Sequence, residues 1–293
     1  MMTTSPNPAK VQPARPATPE DPEIRKIKSR MRALRMRNAL ELASRVKVQA
    51  DGSRMFVRFT TGEIVEHWVL LFSFLTLGVT GLLQRYARLS VPAFSINTLF
   101  GGIESLRTLH HAAAIIFILA SVYHAARILY MWFVKRQVGA MLPTVKDGLD
   151  LMNMFRYNLG MIRERPQFDR FSVEEKLEYW ALIWGTVIMV ITGLMQWYPT
   201  LTTRLLPGTA IPIARTAHSM EAILAMAAVA TWHVYHTLVK ERNTSIFNGL
   251  MSEHDMRENH PAEYARIMEA CEYVNTREQE PVPTPLPLKP AGS

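Results

Sequence analysis

The chain has 293 residues, 48% of them hydrophobic, and a net charge of +8. In a soluble protein that balance would point to nucleic acid, but the apolar residues gather into four stretches, each long enough to cross a hydrocarbon core about 30 Å thick, so the charge is read as membrane topology. The one cysteine, Cys271, excludes a disulfide framework, and an iron–sulfur cluster or c-type haem attachment built from this chain alone, which leaves histidine to carry any redox centre.

In chain order, residues 1–22 are rich in Pro, Thr and Ser and are expected to form a disordered tail, as are residues 280–293. Residues 23–60 form a basic cytoplasmic segment. Over 23–48, Ile24, Ile27, Met31 and Leu34 recur at helical spacing among Arg25, Lys26, Lys28, Arg30, Arg32, Arg35 and Arg37. This predicts an amphipathic helix, either lying on anionic membrane lipid or solvated and touching a partner subunit. The first apolar stretch starts behind this leader, so insertion is expected to use that span and not a cleaved signal peptide. A four-span domain is expected over 61–245, with spans at 65–83, 109–134, 179–198 and 217–239 and Trp68, Trp132, Trp180, Trp197 and Trp232 near their ends. A cytoplasmic helical tail follows over 246–279.

Eleven Lys and Arg lie between residues 23 and 64 and eight between 135 and 176, whereas the other connections hold only Arg85, Arg88, Arg107, Arg204 and Arg215. The positive-inside rule then places both termini and the middle loop in the cytoplasm. The expected fold is all-α, an integral membrane four-helix bundle with cytoplasmic N- and C-terminal extensions.

The two halves repeat. Glu66-His67-Trp68 and Thr80-Gly81-Leu82 match Glu178-Tyr179-Trp180 and Thr192-Gly193-Leu194, and Arg107-Thr108-Leu109-His110 matches Arg215-Thr216-Ala217-His218. Each half is therefore a helical hairpin. The glycines suit close approach of a cofactor or of a neighbouring helix.

Seven of the nine histidines fall in or beside the spans: His67, His110, His111, His124, His218, His233 and His236. An imidazole in hydrocarbon needs a partner, and a lone one is satisfied by a hydrogen bond to the next helix. The pairing is what points further. His110 and His124 are 14 residues apart and His218 and His233 are 15 apart, so each pair puts one imidazole near each membrane face, roughly 21 to 23 Å along its helix. Fourteen residues nearly complete four turns, and fifteen drift about 60° further. Two hairpins can thus oppose imidazoles at two depths, as bis-histidine haem requires. His67 shares the cytoplasmic depth with His124, His233 and His236, more candidates than one haem uses. Arg107 and Arg215 precede His110 and His218 by three residues, and Arg127 lies deeper. All three are candidates for haem propionates, and plain snorkelling is the alternative. Glu66 and Glu221, at span ends beside His67 and His218, are candidates to relay protons or to hydrogen-bond an imidazole.

These residues resemble the cytochrome b (gamma) subunit family of membrane-bound formate dehydrogenases and its relatives in hydrogenase, thiosulfate reductase and multihaem-cytochrome complexes. The resemblance runs over 58–268, on Val65-Glu66-His67-Trp68, Leu109-His110, Arg156-Tyr157-Asn158-Leu159-Gly160, Glu178-Tyr179-Trp180, His218, His233-Val234-Tyr235 and His260-Pro261-Ala262-Glu263-Tyr264. It implies two b haems, one held by His67 and His233 on the cytoplasmic side and one by His110 and His218 on the other. It also implies a menaquinone or ubiquinone head group near Asn158 and Gly160, and an iron–sulfur or multihaem cytochrome c subunit as partner. The chain departs from the family pattern at His111, at the extra residue between His218 and His233, and at His124 with His236, which leave alternative ligands and a third haem open. The function implied is electron transfer across the membrane, the chain itself either passing electrons only or also working on quinone. The rivals are a haem-free transporter or proton channel with titrating histidines, and a transmembrane reductase independent of quinone.

Overall fold

The computed structural model describes residues 22–136, 139–240 and 242–279. Of the tails expected to be disordered, only Pro22 lies within them. Along the chain run α1 (Pro22–Ala43), β1 (Val46–Val48), β2 (Arg54–Val57), α2 (Thr61–Arg85), α3 (Ser90–Leu99), α4 (Ile103–Phe133), α5 (Val145–Asn158), α6 (Val173–Trp197), α7 (Pro199–Leu205) and α8 (Ala210–Ala228). The eighth helix continues as π-helical turns over Val229–His233 and Tyr235–Lys240, and the chain closes with α9 (Ser245–Asn248), β3 (Leu250–Ser252), α10 (Glu253–Asn259) and α11 (Pro261–Gln279).

Among the described residues, four helices are long and apolar enough to cross a membrane: Thr61–Arg85, Ile103–Phe133, Val173–Trp197 and Ala210–Lys240. Each begins several residues before the stretch read from hydropathy, and in α2 and α6 a capping group sets the start. Thr60 with Glu63 and Ser172 with Glu175 form capping boxes at the heads of α2 and α6, and Thr144 with Asp147 does the same for α5. In the bundle α2 packs on α4, α6 packs on α8, and α2 also lies against α8. Phe72, Ile115, Leu119, Val122, Trp184 and Ile191 point outward and are exposed, as they should be where lipid is the solvent.

The segments before the first span, between the second and third spans and after the fourth converge on one end of the bundle. Strands β1, β2 and β3 form an antiparallel sheet in that order, with Phe56 opposite both Val46 and Met251. Phe56, Met251, Met256 and Ile267 form the core beneath it. This sheet is an addition to the all-helical expectation. It joins the segment before the first span to the one after the last, and Gly249, at φ 76°, makes the turn where a Cβ would lie 2.5 Å from the Phe59 carbonyl oxygen. The second half of α1 packs on α11 through Ala39, Ala270 and Val274, while Ile24, Ile27, Met31 and Leu34, nearer its N-terminal end, stay exposed.

The middle loop is fastened to the same end. Arg58, 3% exposed, pairs with Glu175 at 2.7 Å, donates to the Arg170 carbonyl and lies over the Phe171 ring. Arg170 returns a bond to the Arg58 carbonyl at 2.9 Å. His260, 2% exposed, donates from Nδ1 to the Asp169 carbonyl at 2.9 Å, and the Ala262 amide donates to Phe168. Burial first, then the facing Arg58, pushes the His260 imidazole down to about 3, with Arg165 and Arg170 adding to the effect and Glu175 opposing it.

Candidate functional site: opposed histidines in the bundle

Two pairs of imidazoles face each other across the bundle. The rings of His67 on α2 and His233 on the π-helical continuation of α8 have centroids 6.3 Å apart, and those of His110 on α4 and His218 on α8 are 6.5 Å apart. A metal between two imidazoles has bonds of about 2 Å to each ring nitrogen, and adding about 1.1 Å from nitrogen to ring centre on each side gives centroids about 6 Å apart. Both pairs stand at that spacing.

The nitrogens are prepared for it as well. Thr80 Oγ1 spends its single proton on the Thr76 carbonyl at 2.6 Å, so toward His110 Nδ1, 2.8 Å away, it can only accept. Thr192 Oγ1 likewise donates to the Ile188 carbonyl at 2.6 Å and accepts from His218 Nδ1 at 3.0 Å. His233 Nδ1 lies 2.9 Å from Glu178 Oε2 and donates to it. In all three rings the proton sits on Nδ1, which leaves the Nε2 lone pair for a metal. His67 Nδ1 is buried without a hydrogen-bond partner. Gly81 and Gly193 admit the rings of His110 and His218, since a Cβ at either would lie 3.4 or 3.2 Å from the imidazole Cε1.

The sequence repeat is thus a repeat of contacts. Thr80-Gly81 and Thr192-Gly193 do the same work in each hairpin, and Glu66 and Glu178 each hold a histidine of the following span, His124 and His233 respectively. The extra residue between His218 and His233 is taken up by the π turn Val229–His233, in which the Val234 amide reaches back to the Val229 carbonyl. His233 therefore sits where His124 sits in the first hairpin.

The repeat is broken at the head of the hairpins. Tyr179 stands where His67 stands, and its hydroxyl lies 2.9 Å from His124 Nε2. With Nδ1 donating to Glu66, His124 accepts the Tyr179 proton and has both nitrogens engaged. His111 stacks on Trp197 with ring centres 4.0 Å apart, and His236 donates to the Trp232 carbonyl at 3.0 Å. Arg127 bridges Glu66 at 3.1 Å and Glu63 at 3.6 Å, and Arg107 pairs with Glu104 at 2.8 Å. Arg215, Asn158 and Gly160 are exposed and make no hydrogen bond to the imidazole pairs. Glu66 bonds His124 and not its neighbour His67, and Glu221 fills a notch left by Gly185, where a Cβ would lie 2.7 Å from Glu221 Oε1. Sequence reasoning passed over Glu178, Tyr179, Thr80 and Thr192 as site residues although the repeat displayed all four.

Opposed imidazoles inside a four-span helical bundle are the arrangement expected of a membrane cytochrome b, and the residues present fit haem b. The comparisons agree. The family described as prokaryotic cytochrome b561 matches residues 58–248, and the chain belongs to it. The chain is also 24% identical over 221 residues to the formate dehydrogenase cytochrome b556(fdo) subunit of Escherichia coli K12, covering 74% of this chain and 95% of that protein. The subunits of the O6:H1 and O157:H7 strains match equally. The protein is thus a multi-pass membrane cytochrome b of the gamma-subunit type, with a role in electron transfer.

Proposed function

We propose that the chain is the membrane-anchoring subunit of a respiratory complex and links a redox partner at the loop-poor end of the bundle to quinone at the end bearing the termini. The observation that carries this is the two opposed imidazole pairs at metal-bridging spacing, three of the four rings fixed as the Nδ1–H tautomer. His67 with His233 would hold one b haem and His110 with His218 the other. Bound there, haem iron supplies one-electron transfer by cycling between its ferric and ferrous states. A third haem at His124 and His236 is disfavoured by the Tyr179 bond, which takes the lone pair an iron would need.

The concentration of Arg and Lys in the leader and middle loop supports a cytoplasmic position for the termini in a bacterial inner membrane. The resemblance to a formate dehydrogenase cytochrome subunit supports membership of a respiratory complex, and the partner in this proposal is an iron–sulfur or multihaem cytochrome c subunit on the opposite side. Asn158 and Gly160 close α5 at the terminus-bearing end, which suits a menaquinone or ubiquinone head group entering there, and Gly160 has φ 70°.

The test is the haem content per chain of the detergent-purified protein, measured by pyridine haemochrome, with each histidine replaced by alanine. Two b haems are expected, one lost with either His67 or His233 and the other with either His110 or His218, while His124→Ala keeps both. A folded protein without haem would leave the transporter reading in its place.

A further inference from the structure

The two imidazole pairs differ in what holds their outer nitrogens. Both rings of the His110–His218 pair donate to threonine hydroxyls, neutral acceptors at 2.8 and 3.0 Å whose own protons go to helix carbonyls. His233 donates instead to Glu178 at 2.9 Å, a carboxylate on the neighbouring span with its side chain 20% exposed. A bond from Nδ1–H to an anionic acceptor is stronger than one to a hydroxyl and draws the ring toward imidazolate. A more basic imidazole stabilises the ferric over the ferrous state.

We propose that Glu178 is the positioning residue that makes the haem of His67 and His233 the harder of the two to reduce. This rests on the assignment of those histidines as a haem pair. The repeat shows that the contact is selective. The same Glu–His unit occurs in the other hairpin as Glu66–His124, but there the second imidazole nitrogen is closed by Tyr179. Only one copy of the unit therefore bears on a histidine whose lone pair is free. The asymmetry between the stations arises from a single exchange, His67 in one half against Tyr179 in the other, together with a glutamate common to both.

The experiment is an optical redox titration of the purified holoprotein, with haem counted in parallel, for the wild type and for Glu178→Gln and Glu178→Thr. The wild type is expected to show two one-electron waves. In a haem-replete variant the lower wave should rise by about a tenfold change in its reduction equilibrium, about 59 mV for one electron, while the upper wave stays in place. Where a variant loses one haem, the surviving wave should be the upper one. A haem-replete variant with both waves unmoved, or a surviving lower wave, overturns the proposal. The underlying ligand assignment fails separately, if His233→Ala retains both haems.

Discussion

The imidazoles are governed by atoms one bond removed from them. A threonine whose proton is already committed to a helix carbonyl is a one-way acceptor, and this fixes a histidine tautomer without any charge in the bilayer. Glycine supplies the room. At Gly193 a Cβ would stand 3.2 Å from His218 Cε1, closer than ordinary van der Waals contact, whereas at Gly148 in α5 it would meet nothing within 4 Å. Gly193→Val is therefore expected to push His218 away from His110 and reduce the bound haem from about two to about one per chain, and Gly148→Ala should leave it unchanged. Haem stoichiometry of the two purified variants checks this, and full haem in Gly193→Val would show that the α6–α8 hairpin yields at this point.

At the scale of elements, the spans and the paired histidines were legible because each rests on a local signal: about 20 apolar residues, or a spacing near four helical turns. The hairpin repeat was equally legible and carried more than was taken from it, since Glu178 and Tyr179 appear in it beside Glu66 and His67. What the sequence hid was non-local. Strands of three and four residues have no periodicity to detect, and β2 pairs with β3 across all four spans, Phe56 opposite Met251. The π turn was hidden differently, as an apparent 60° error between His218 and His233 that an ideal helix does not resolve. Its wider turn is less favourable than an α turn and persists because both ends of the segment are pinned, by Thr192 through His218 and by Glu178 through His233. Deleting Ala230 should convert it to α-helix, restore the 14-residue spacing of the first hairpin and keep two haems per chain. Loss of one haem on that deletion would mean that the wide turn itself aims His233.

For the whole molecule, the bundle and the terminal domain are joined by polar contacts between segments far apart in sequence. Arg58 precedes the first span, Asp169 and Arg170 close the middle loop, Glu175 opens the third span, and His260 and Glu263 follow the fourth. Arg45 reaches Glu263 at 2.9 Å, and Arg266 bonds both Asp169 and Glu263. A charged junction of this kind is destabilised when one member is left unpaired, by about 3 to 5 kcal/mol for a buried ion pair, so its integrity depends on protonation. His260 makes that dependence specific. Its folded value of about 3 lies below the 6.5 of an ordinary histidine, so the fold keeps the ring neutral and the unfolded chain takes up a proton as pH falls below 6.5. Stability associated with this group is therefore fully present above about pH 6.5 and declines toward pH 3, by about 2 kcal/mol between pH 7 and pH 5. His260→Asn keeps a donor for the Asp169 carbonyl and removes the titration. Melting temperatures of the purified protein should fall from pH 7 to pH 5 in the wild type and fall less in the variant. Equal falls in both would assign the acid sensitivity to the carboxylates of the junction instead.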